Sequence, residues 1–314
     1  MPAVENKKWP ANEIDYFILK KQEEEGLKPN VEADKERLLK RVSLDLTGLP
    51  PSEEMMNRFM ANQDPKAYNA VVEELLHSPQ YGEKMALHWL DIARYADSYG
   101  YQDDNVRTQW PWRDWVIHAF NENMPYDKFV TWQLAGDLLP GANKEEILAT
   151  AFLRNHKYTE EGGIIPEEYR VEYNIDKTKT FGRGIIGLTV ECAQCHDHKY
   201  DPISQREYYQ MFAFFNISKE PGFEGDVGTS KPAKTPILTL DSSDLHSTLS
   251  FINDKDTGKL TVSVMGDPDT LRKTFVLNRG VYDQPTFEVM PSAPTSVLFY
   301  CQVKLPRNRL CLAE

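Results

Sequence analysis

A long apolar run is missing from this sequence, and so is an excess of positive charge. The longest apolar candidates, residues 185–190 and 211–215, are far shorter than the roughly 20 residues that a membrane-spanning helix needs. The chain has 48 acidic against 36 basic residues and a formal net charge of −12. Because such a surface repels phosphate backbones and anionic lipids, we expect no nucleic-acid partner and no membrane span in these residues.

A signal peptide is also missing. The first residues, Met1 to Lys8, contain no apolar core of the kind that export signals carry. At the other end, the residues after Asn308 have the pattern of a helix that begins rather than ends. We therefore interpret the chain as part of a longer protein whose N-terminus held the export signal, with residues 1–10 as the remnant of a linker.

Helical patterns dominate what the sequence does contain. The apolar content of 40% and the charged content of 27% are typical of a folded globular chain. Asn12, Asn143 with Glu146, and Ser204 with Glu207 have the spacing of helix N-caps and capping boxes. Helices are predicted over 53–61, 66–77, 82–97, 112–121, 127–138, 144–154 and 167–187, after two earlier ones that end near Gly26 and Gly48.

The pattern changes near residue 220. A loop rich in glycine and proline is followed by three short segments rich in β-branched residues, at 236–240, 260–265 and 274–277. The predicted fold is therefore mainly α: a multi-helix domain over 11–220, and then a small β-containing segment over 221–314 that includes the truncated start of a C-terminal domain.

The most specific chemical motif is Cys192-Ala193-Gln194-Cys195-His196. C-x-x-C-H is the pattern that attaches haem c. On a helix, positions i, i+3 and i+4 share one face, so the two thiols and the imidazole of His196 can face one porphyrin. The thiols would form thioethers with it, and His196 would bind the iron. Met211 is a candidate for the second axial ligand, although its aromatic neighbours favour core packing.

Other chemistry is compatible with the same motif. The two motif cysteines with His196 or His198 could bind zinc, or the cysteines could be a thiol pair or a disulfide. A tetrahedral zinc site would need a further strong ligand, and the remaining cysteines, Cys301 and Cys311, are single and distant in sequence.

Two further groups of polar residues are candidates for a site. On and just after the predicted helix 82–97, a polar stripe at steps of three and four contains His88, Asp91, Arg94, Tyr95 and Ser98. It is either a solvated face or a pocket wall with His88 as distal ligand or acid–base group. A metal-dependent hydrolase is the alternative function, and its candidate residues are His88, Asp91, Arg94, Asp197, His198 and Asp201.

The second group is acidic and runs from Glu160 to Asp176. Its carboxylates could hold a hard cation such as calcium, but a solvated helix face with Arg170 paired locally is favoured. Trp110, Trp112 and Trp115 could stack on a sugar, although core packing is favoured. The third function considered is therefore a non-catalytic module that binds a polysaccharide or a protein.

Several stretches match a known family. They are 43–51 (SLDLTGLPP), 88–97 (HWLDIARYAD), 123–127 (NMPYD), 133–140 (QLAGDLLP) and 187–209, which contains the C-x-x-C-H motif. With them the chain resembles the exported, planctomycete-type cytochrome-associated proteins across about residues 10–217. Residues 274–282 (TFVLNRGVY) resemble the start of the companion C-terminal domain of those proteins.

The resemblance implies an exported, periplasmic protein in a redox setting, with an upstream cytochrome c domain or another redox partner. It implies no particular reaction, so whether the chain is itself an enzyme stays open. Two features depart from the family: the upstream cytochrome domain is missing, and Cys301 and Cys311 stand where a proline-rich linker and a glycine are expected. The last fifteen residues are therefore suspect. The function ranked first is a haem c-binding module of an exported redox protein, supporting electron transfer or an oxidoreductase.

Overall fold

The computed structural model describes residues 1–225, 227–253, 258–268, 272–294 and 308–313. The chain is 50% helical, and the strands in these ranges form two antiparallel sheets of two strands each. The predicted class, mainly α with a small β segment, is confirmed. None of the helices in the described ranges is long and apolar enough to cross a membrane. The chain forms two compact units, Met1–Glu74 and Leu75–Glu314.

The first unit is built from short amphipathic helices with side-chain caps. The helices are α1 (Glu13–Glu24), α2 (Lys35–Thr47), α3 (Glu53–Ala61) and the greater part of α4 (Ala67–Leu76). Asn12 caps α1 in a capping box with Asp15, where its side chain satisfies one of the backbone N–H groups left free at the helix start. Gly48 ends α2 with a φ of 71°, a conformation that glycine adopts without steric cost.

The second unit contains the longer helices. They are α5 (Pro79–Ile92), α6 (Trp110–Asn121), α7 (Tyr126–Ala135), α8 (Lys144–Ala149), α9 (Pro166–Phe181), α10 (Gln205–Asn216), and the short α11 (Ser242–Leu245) and α12 (Arg309–Ala313). The predicted capping boxes of α8, at Asn143 and Glu146, and of α10, at Ser204 and Glu207, are both present. Four helices end earlier than predicted. α5 ends at Ile92, and α7, α8 and α9 give way to 3₁₀ or π-helical turns over Gly136–Leu138, Thr150–Arg154 and Gly182–Ile186.

Aromatic side chains fill the core of this unit. Trp112 and Trp115 have no exposed surface, and the Trp115 ring stacks on Phe129 with 5.5 Å between centroids and 7° between planes. Trp89 stacks on Phe152 at 5.4 Å. Aromatic pairs of this kind stabilise a core beyond the area that they bury. The tryptophan group is therefore core, as the favoured interpretation predicted, and Trp112 and Trp115 are not available to stack on a sugar.

The β structure consists of two hairpin-like pairs. β1 (Ile237–Asp241) pairs with β2 (Lys259–Ser263), and β3 (Thr274–Leu277) pairs with β4 (Pro285–Val289). The three predicted strand segments are thus confirmed, and β4 is a strand that the sequence pattern did not indicate. The predicted change from helices to strands near residue 220 lies inside the second unit. The domain limits at residues 10 and 220 stay predictions.

The C-terminal helix packs into the second unit through a buried arginine. Asn308 accepts a hydrogen bond from the backbone N–H of Cys311 at 3.2 Å, so the predicted helix start after Asn308 is confirmed. Arg309 is fully buried and forms ion pairs with Asp137 and Asp267. Residues 308–313 are thus an integral part of the packing, Cys311 is buried, and Cys301 lies outside the described residues.

Candidate functional site

The C-x-x-C-H motif lies on the surface, in the connection that leads into α10. Its first part, Glu191–Gln194, is a 3₁₀ turn with Cys195 as the C-cap, so the expected α-helical setting is wrong. Side chains at i and i+3 are aligned in a 3₁₀ turn, which keeps Cys192 and Cys195 on one side of it. Both thiols are exposed and free.

The imidazole of His196 has one defined hydrogen bond. Its Nδ1 lies 2.7 Å from the backbone carbonyl oxygen of Asp197. A carbonyl oxygen only accepts hydrogen bonds, so Nδ1 carries the proton and Nε2 carries the lone pair. Histidines that bind metals are oriented by this same type of contact from the other ring nitrogen. Nε2 has no partner among the described residues, and the exposed side chain can therefore bind a ligand there.

His198 has the opposite tautomer. Its Nδ1 accepts hydrogen bonds from the backbone N–H groups of Asp201, at 2.8 Å, and Tyr200, at 3.3 Å. The proton of the neutral ring is therefore on Nε2, and neither nitrogen is free to bind a metal. The side chain is also only 6% exposed. His198 shapes the loop that carries His196.

Asp197 and Met211 also serve the structure around the motif. Asp197 Oδ1 accepts a hydrogen bond from the backbone N–H of Gln205 at 2.8 Å, which places a carboxylate at the N-terminus of α10, where the helix dipole favours it. Met211 is fully buried in the core. Core packing thus accounts for Met211, and it is not placed to act as a second axial ligand beside the exposed thiols.

The turn after β3 packs against the motif. A Cβ atom built on Gly280 would lie 3.2 Å from Cys195 Sγ and 3.0 Å from Gln194 Nε2. Arg279 and Gly280 have φ angles of 52° and 77°, so two consecutive residues occupy the left-handed region. The Gln205 side chain fixes both sides of this contact, because its Nε2 donates to the carbonyl oxygens of Gln194, at 3.0 Å, and Leu277, at 3.1 Å.

The predicted polar stripe on the helix 82–97 does not form. The helix ends at Ile92, and Arg94 adopts a φ of 56°, which directs the chain out of the helical path. Arg94 forms an ion pair with Asp176 and donates a hydrogen bond to Thr180 Oγ1, both on α9. His88 and Asp91 are exposed on α5. The pairing of Arg94 with a residue distant in sequence is the physical reason that the helix stops early.

A ligand set for zinc or calcium is not found in the parts of the chain that the structure describes. There, no group of three or more His, Cys, Asp or Glu side chains is placed to hold a metal ion. The six hydrolase candidates are distributed over α5, the turn after it and the loop before α10. The geometry of the described residues therefore supports neither the metal-ion alternative nor the metal-dependent hydrolase.

The acidic group from Glu160 to Asp176 splits into separate roles. Arg170 pairs locally with Glu167, with Nε to Oε2 at 2.8 Å, as the favoured interpretation predicted. Glu160 is buried and forms an ion pair with Lys234, so its carboxylate is neither solvated nor free for a cation. Glu172 and Asp176 line a cleft of about 460 Å³.

Most of the residues that line this cleft were not indicated by the sequence pattern. The lining residues are Arg94, Ala96, Ser98, Tyr99, Gly100, Tyr101, Asp104, Arg107, Asn155, His156, Lys157, Glu172, Tyr173 and Asp176. Of these, only Arg94, Ser98, Glu172 and Asp176 belonged to a predicted group. The three segments that supply the lining are far apart in sequence, so no local spacing could have shown that they meet.

A buried network of charges lies behind one wall of the cleft. The Glu220 carboxylate contacts Arg154 Nε at 2.9 Å, His156 Nε2 at 2.8 Å, and Lys177. Burial alone would raise the pKa of Glu220, but the three basic residues together hold it well below its ordinary value of 4.5. Burial lowers the pKa of Lys177 to about 8, and it also lowers the pKa of His156.

Part of the chain matches a known family. The family described as PSCyt2, a protein of unknown function (DUF1549), matches residues 13–220. The matched range contains helices α1 to α10 and the C-x-x-C-H motif. No curated protein and no solved structure matches the chain significantly.

Proposed function

Because the chain belongs to the PSCyt2 family of proteins of unknown function (DUF1549), a family of cytochrome-associated domains, we propose that its C-x-x-C-H motif binds haem c covalently. The observation that carries the proposal is the hydrogen bond from His196 Nδ1 to the Asp197 carbonyl. It leaves Nε2 with a lone pair on the residue that directly follows Cys195, and both motif thiols are free and exposed. Haem c attachment requires this combination of groups.

The cysteines and the histidine of the motif would bind different parts of the cofactor. Cys192 and Cys195 would each form a thioether, in which the thiol S–H adds across a vinyl group of the porphyrin and no further reactant is consumed. His196 would bind the iron through Nε2. The bound haem would supply one-electron transfer. The loop bonds made by His198 and Asp197 would keep His196 in place.

The proposed setting is an exported redox protein. The family's association with cytochromes supports an upstream cytochrome c domain, or another redox partner, as the electron donor or acceptor. Exposure of both thiols on the surface also supports the proposal, because attachment outside the cytoplasm requires the maturation machinery to reach them. Met211 is buried in the core and His198 is bonded within its own loop, so we assign one iron ligand, His196.

The test is expression of the full chain with a periplasmic signal and cytochrome c maturation machinery. We expect a pyridine haemochrome spectrum of the c type, with one haem per chain that remains bound in denaturing gels. Cys195→Ala leaves at most one thioether, so it should either prevent attachment or shift the haemochrome band, because one vinyl group then stays unsaturated. His196→Ala should lose the haem or its iron ligation. Circular dichroism will show whether each variant is folded.

A matched control is available for the histidine. His246 is also exposed, and its Nδ1 contacts the Ser242 carbonyl at 2.8 Å, but it lies outside the motif, so His246→Ala should leave the haem spectrum unchanged. Cys301→Ser removes a thiol outside the motif and should likewise leave the haem spectrum unchanged. A folded chain without covalent haem, obtained under conditions in which a co-expressed cytochrome c matures fully, would contradict the proposal.

A further inference from the structure

The cleft between the segment 94–107, residues 155–157 and α9 has the dimensions of a ligand site. Its volume of about 460 Å³ lies within the range of about 300–1,000 Å³ that small-molecule pockets occupy. None of the residues that line it belongs to the C-x-x-C-H motif. A function of this cleft would therefore be independent of haem attachment.

Backbone strain is concentrated at this cleft. Among the described residues, five other than glycine have a positive φ: Arg94, Tyr101, Asp104, Asn123 and Arg279. The first three, with φ of 56°, 58° and 43°, all line the cleft. Such conformations are energetically unfavourable for residues other than glycine, and they cluster at binding and catalytic sites because the surrounding structure must maintain them.

The charges that line the cleft are balanced. Arg94, Arg107 and Lys157 face Asp104, Glu172 and Asp176, which gives three cationic and three anionic side chains. His156 contacts the Glu220 carboxylate through Nε2 at 2.8 Å, so its ring belongs to the buried network. Because the field of such a lining favours neither sign, a neutral polar ligand fits it better than an anion or a cation.

The basic groups are already engaged. Arg94 pairs with Asp176. Arg107 donates to the carbonyl oxygens of Ala96 at 3.0 Å and His156 at 3.0 Å. The terminal nitrogens of Arg94 and the whole guanidinium of Arg107 are therefore occupied and do not favour a carboxylate or a phosphate. The pair with Arg94 also holds the Asp176 carboxylate in a fixed position at the wall.

Hydrogen-bond acceptors, in contrast, remain available. Glu172 is exposed, and its carboxylate has no hydrogen-bond partner among the residues described. Asn155 is only 2% exposed, and its Oδ1 lacks a hydrogen-bond partner, which is uncommon for a buried amide oxygen. A ligand with several hydroxyl donors would complement acceptors of this kind.

Tyrosines supply the apolar part of the wall. Tyr99 and Tyr173 are buried, and Tyr101 is 40% exposed at the cleft. The Tyr101 ring is fixed by Tyr169 at 5.7 Å and by Lys157 Nζ at 5.6 Å from its centroid. A rigid aromatic surface beside carboxylates and an amide is suited to a sugar ring, which presents C–H groups on its faces and hydroxyls at its edge.

We propose that this cleft binds a neutral sugar unit, with Tyr101 against the ring and Glu172 accepting hydrogen bonds from the hydroxyls. Asp176, held by Arg94, is a second acceptor. The site differs from the tryptophan group that the sequence suggested, because Trp112 and Trp115 are in the core. It also shares no residue with the proposed haem site, and neither proposal depends on the other.

The test is binding of defined sugars to the full chain, measured by saturation-transfer NMR and titration calorimetry. The probes are cellobiose, maltose, laminaribiose and N,N′-diacetylchitobiose, with galacturonic acid and glucosamine as charged comparisons. We expect saturable binding of at least one neutral probe. Glu172→Gln and Tyr101→Ala should each weaken that binding about tenfold or more, as expected for loss of a charged hydrogen bond or an aromatic contact.

Matched controls exist for both variants. Glu168→Gln removes a carboxylate from the same helix outside the cleft, and Tyr200→Ala removes an exposed tyrosine that also has a lysine over its ring. Both should bind as the unmodified chain does, and circular dichroism checks folding. The proposal is overturned if no neutral probe binds, if only the charged sugars bind, or if neither cleft variant weakens binding. Haem-free chain carrying Cys192→Ser and Cys195→Ser should bind sugar equally well.

Discussion

Arg154 and Glu220 form a buried ion pair, with 2.9 Å between Arg154 Nε and Glu220 Oε1 and side chains that are 1% and 3% exposed. The second carboxylate oxygen contacts Lys177 on α9. One carboxylate therefore contacts two cations that come from different parts of the second unit. Since His156 and Tyr173, which stack at 4.6 Å, line the cleft beside this network, the network also sets the position of the cleft wall.

Replacing the central carboxylate should destabilise the protein strongly. In Glu220→Gln, Arg154 and Lys177 stay buried without a counter-charge, and removing one partner of a buried ion pair costs about 3–5 kcal/mol. Urea unfolding followed by circular dichroism measures the change in the free energy of unfolding. Glu168→Gln, a carboxylate loss outside the buried network, should change it by less than about 1 kcal/mol. Equal stability of the two variants would show that the ion pairs of Glu220 do not stabilise the fold.

The contribution of Glu220 should disappear in acid. Its pKa is lower in the folded chain than in the unfolded chain, so its stabilising effect is complete above the unfolded value and is lost as the pH falls through the folded value. The difference in unfolding free energy between the unmodified chain and Glu220→Gln should thus be constant from about pH 7 to pH 5 and decrease below about pH 4. A difference that grows in acid would have the wrong sign for this explanation.

Gly280 should be sensitive to a single added methyl group. Gly280→Ala places a Cβ 3.2 Å from Cys195 Sγ and forces alanine into a φ of 77°. The left-handed conformation alone costs about 1–2 kcal/mol. Gly141→Ala is the control, because its φ is 71° with no atom within 4 Å of the added Cβ.

The two glycine variants separate conformation from contact. Both should lose stability in urea unfolding, but only Gly280→Ala should also slow alkylation of Cys195, measured on the haem-free chain by mass spectrometry of the modified peptide. Equal alkylation rates in both variants would mean that the turn after β3 does not limit access to this thiol.

Arg309 should anchor the C-terminal helix. Its guanidinium contacts Asp137 Oδ2 at 2.7 Å and Asp267 Oδ1 at 3.0 Å, and burial raises the pKa of Asp267. Arg309→Met leaves two carboxyl groups together in the core and should cost about 3–5 kcal/mol in urea unfolding. Adding Asp137→Asn and Asp267→Asn should recover part of that loss. If the single variant is as stable as the unmodified chain, α12 does not contribute to the fold.

Local signals predicted the helices well, and long-range contacts explain where they failed. The caps at Asn12, Asn143 and Ser204 were readable because a cap depends on residues within one turn. The end of α5 was not readable, because it depends on the pairing of Arg94 with Asp176. The strand β4 follows the three predicted strands, but its exposed residues give little apolar alternation.

The candidate site was likewise predictable only where it depends on residues that are neighbours in the sequence. The C-x-x-C-H motif is visible because its members are neighbours in the chain, but the tautomer of His196 depends on a backbone carbonyl whose direction no residue pattern gives. The cleft and the Glu220 network combine residues from four separate segments, and each of them alone looks like an ordinary polar position. The pattern also gave no sign that His198 and Asp197 organise the loop.

The side-chain nitrogen of Gln205 donates hydrogen bonds to two carbonyl oxygens, that of Gln194 at the end of the 3₁₀ turn and that of Leu277, the last residue of β3. A hydrogen-bonded backbone group is protected from solvent only while its hydrogen-bond partners stay in place. Breaking that amide's contacts releases both segments together, so they should behave as one cooperative opening unit. Opening of the β3–β4 sheet should therefore also release the segment that carries the two thiols.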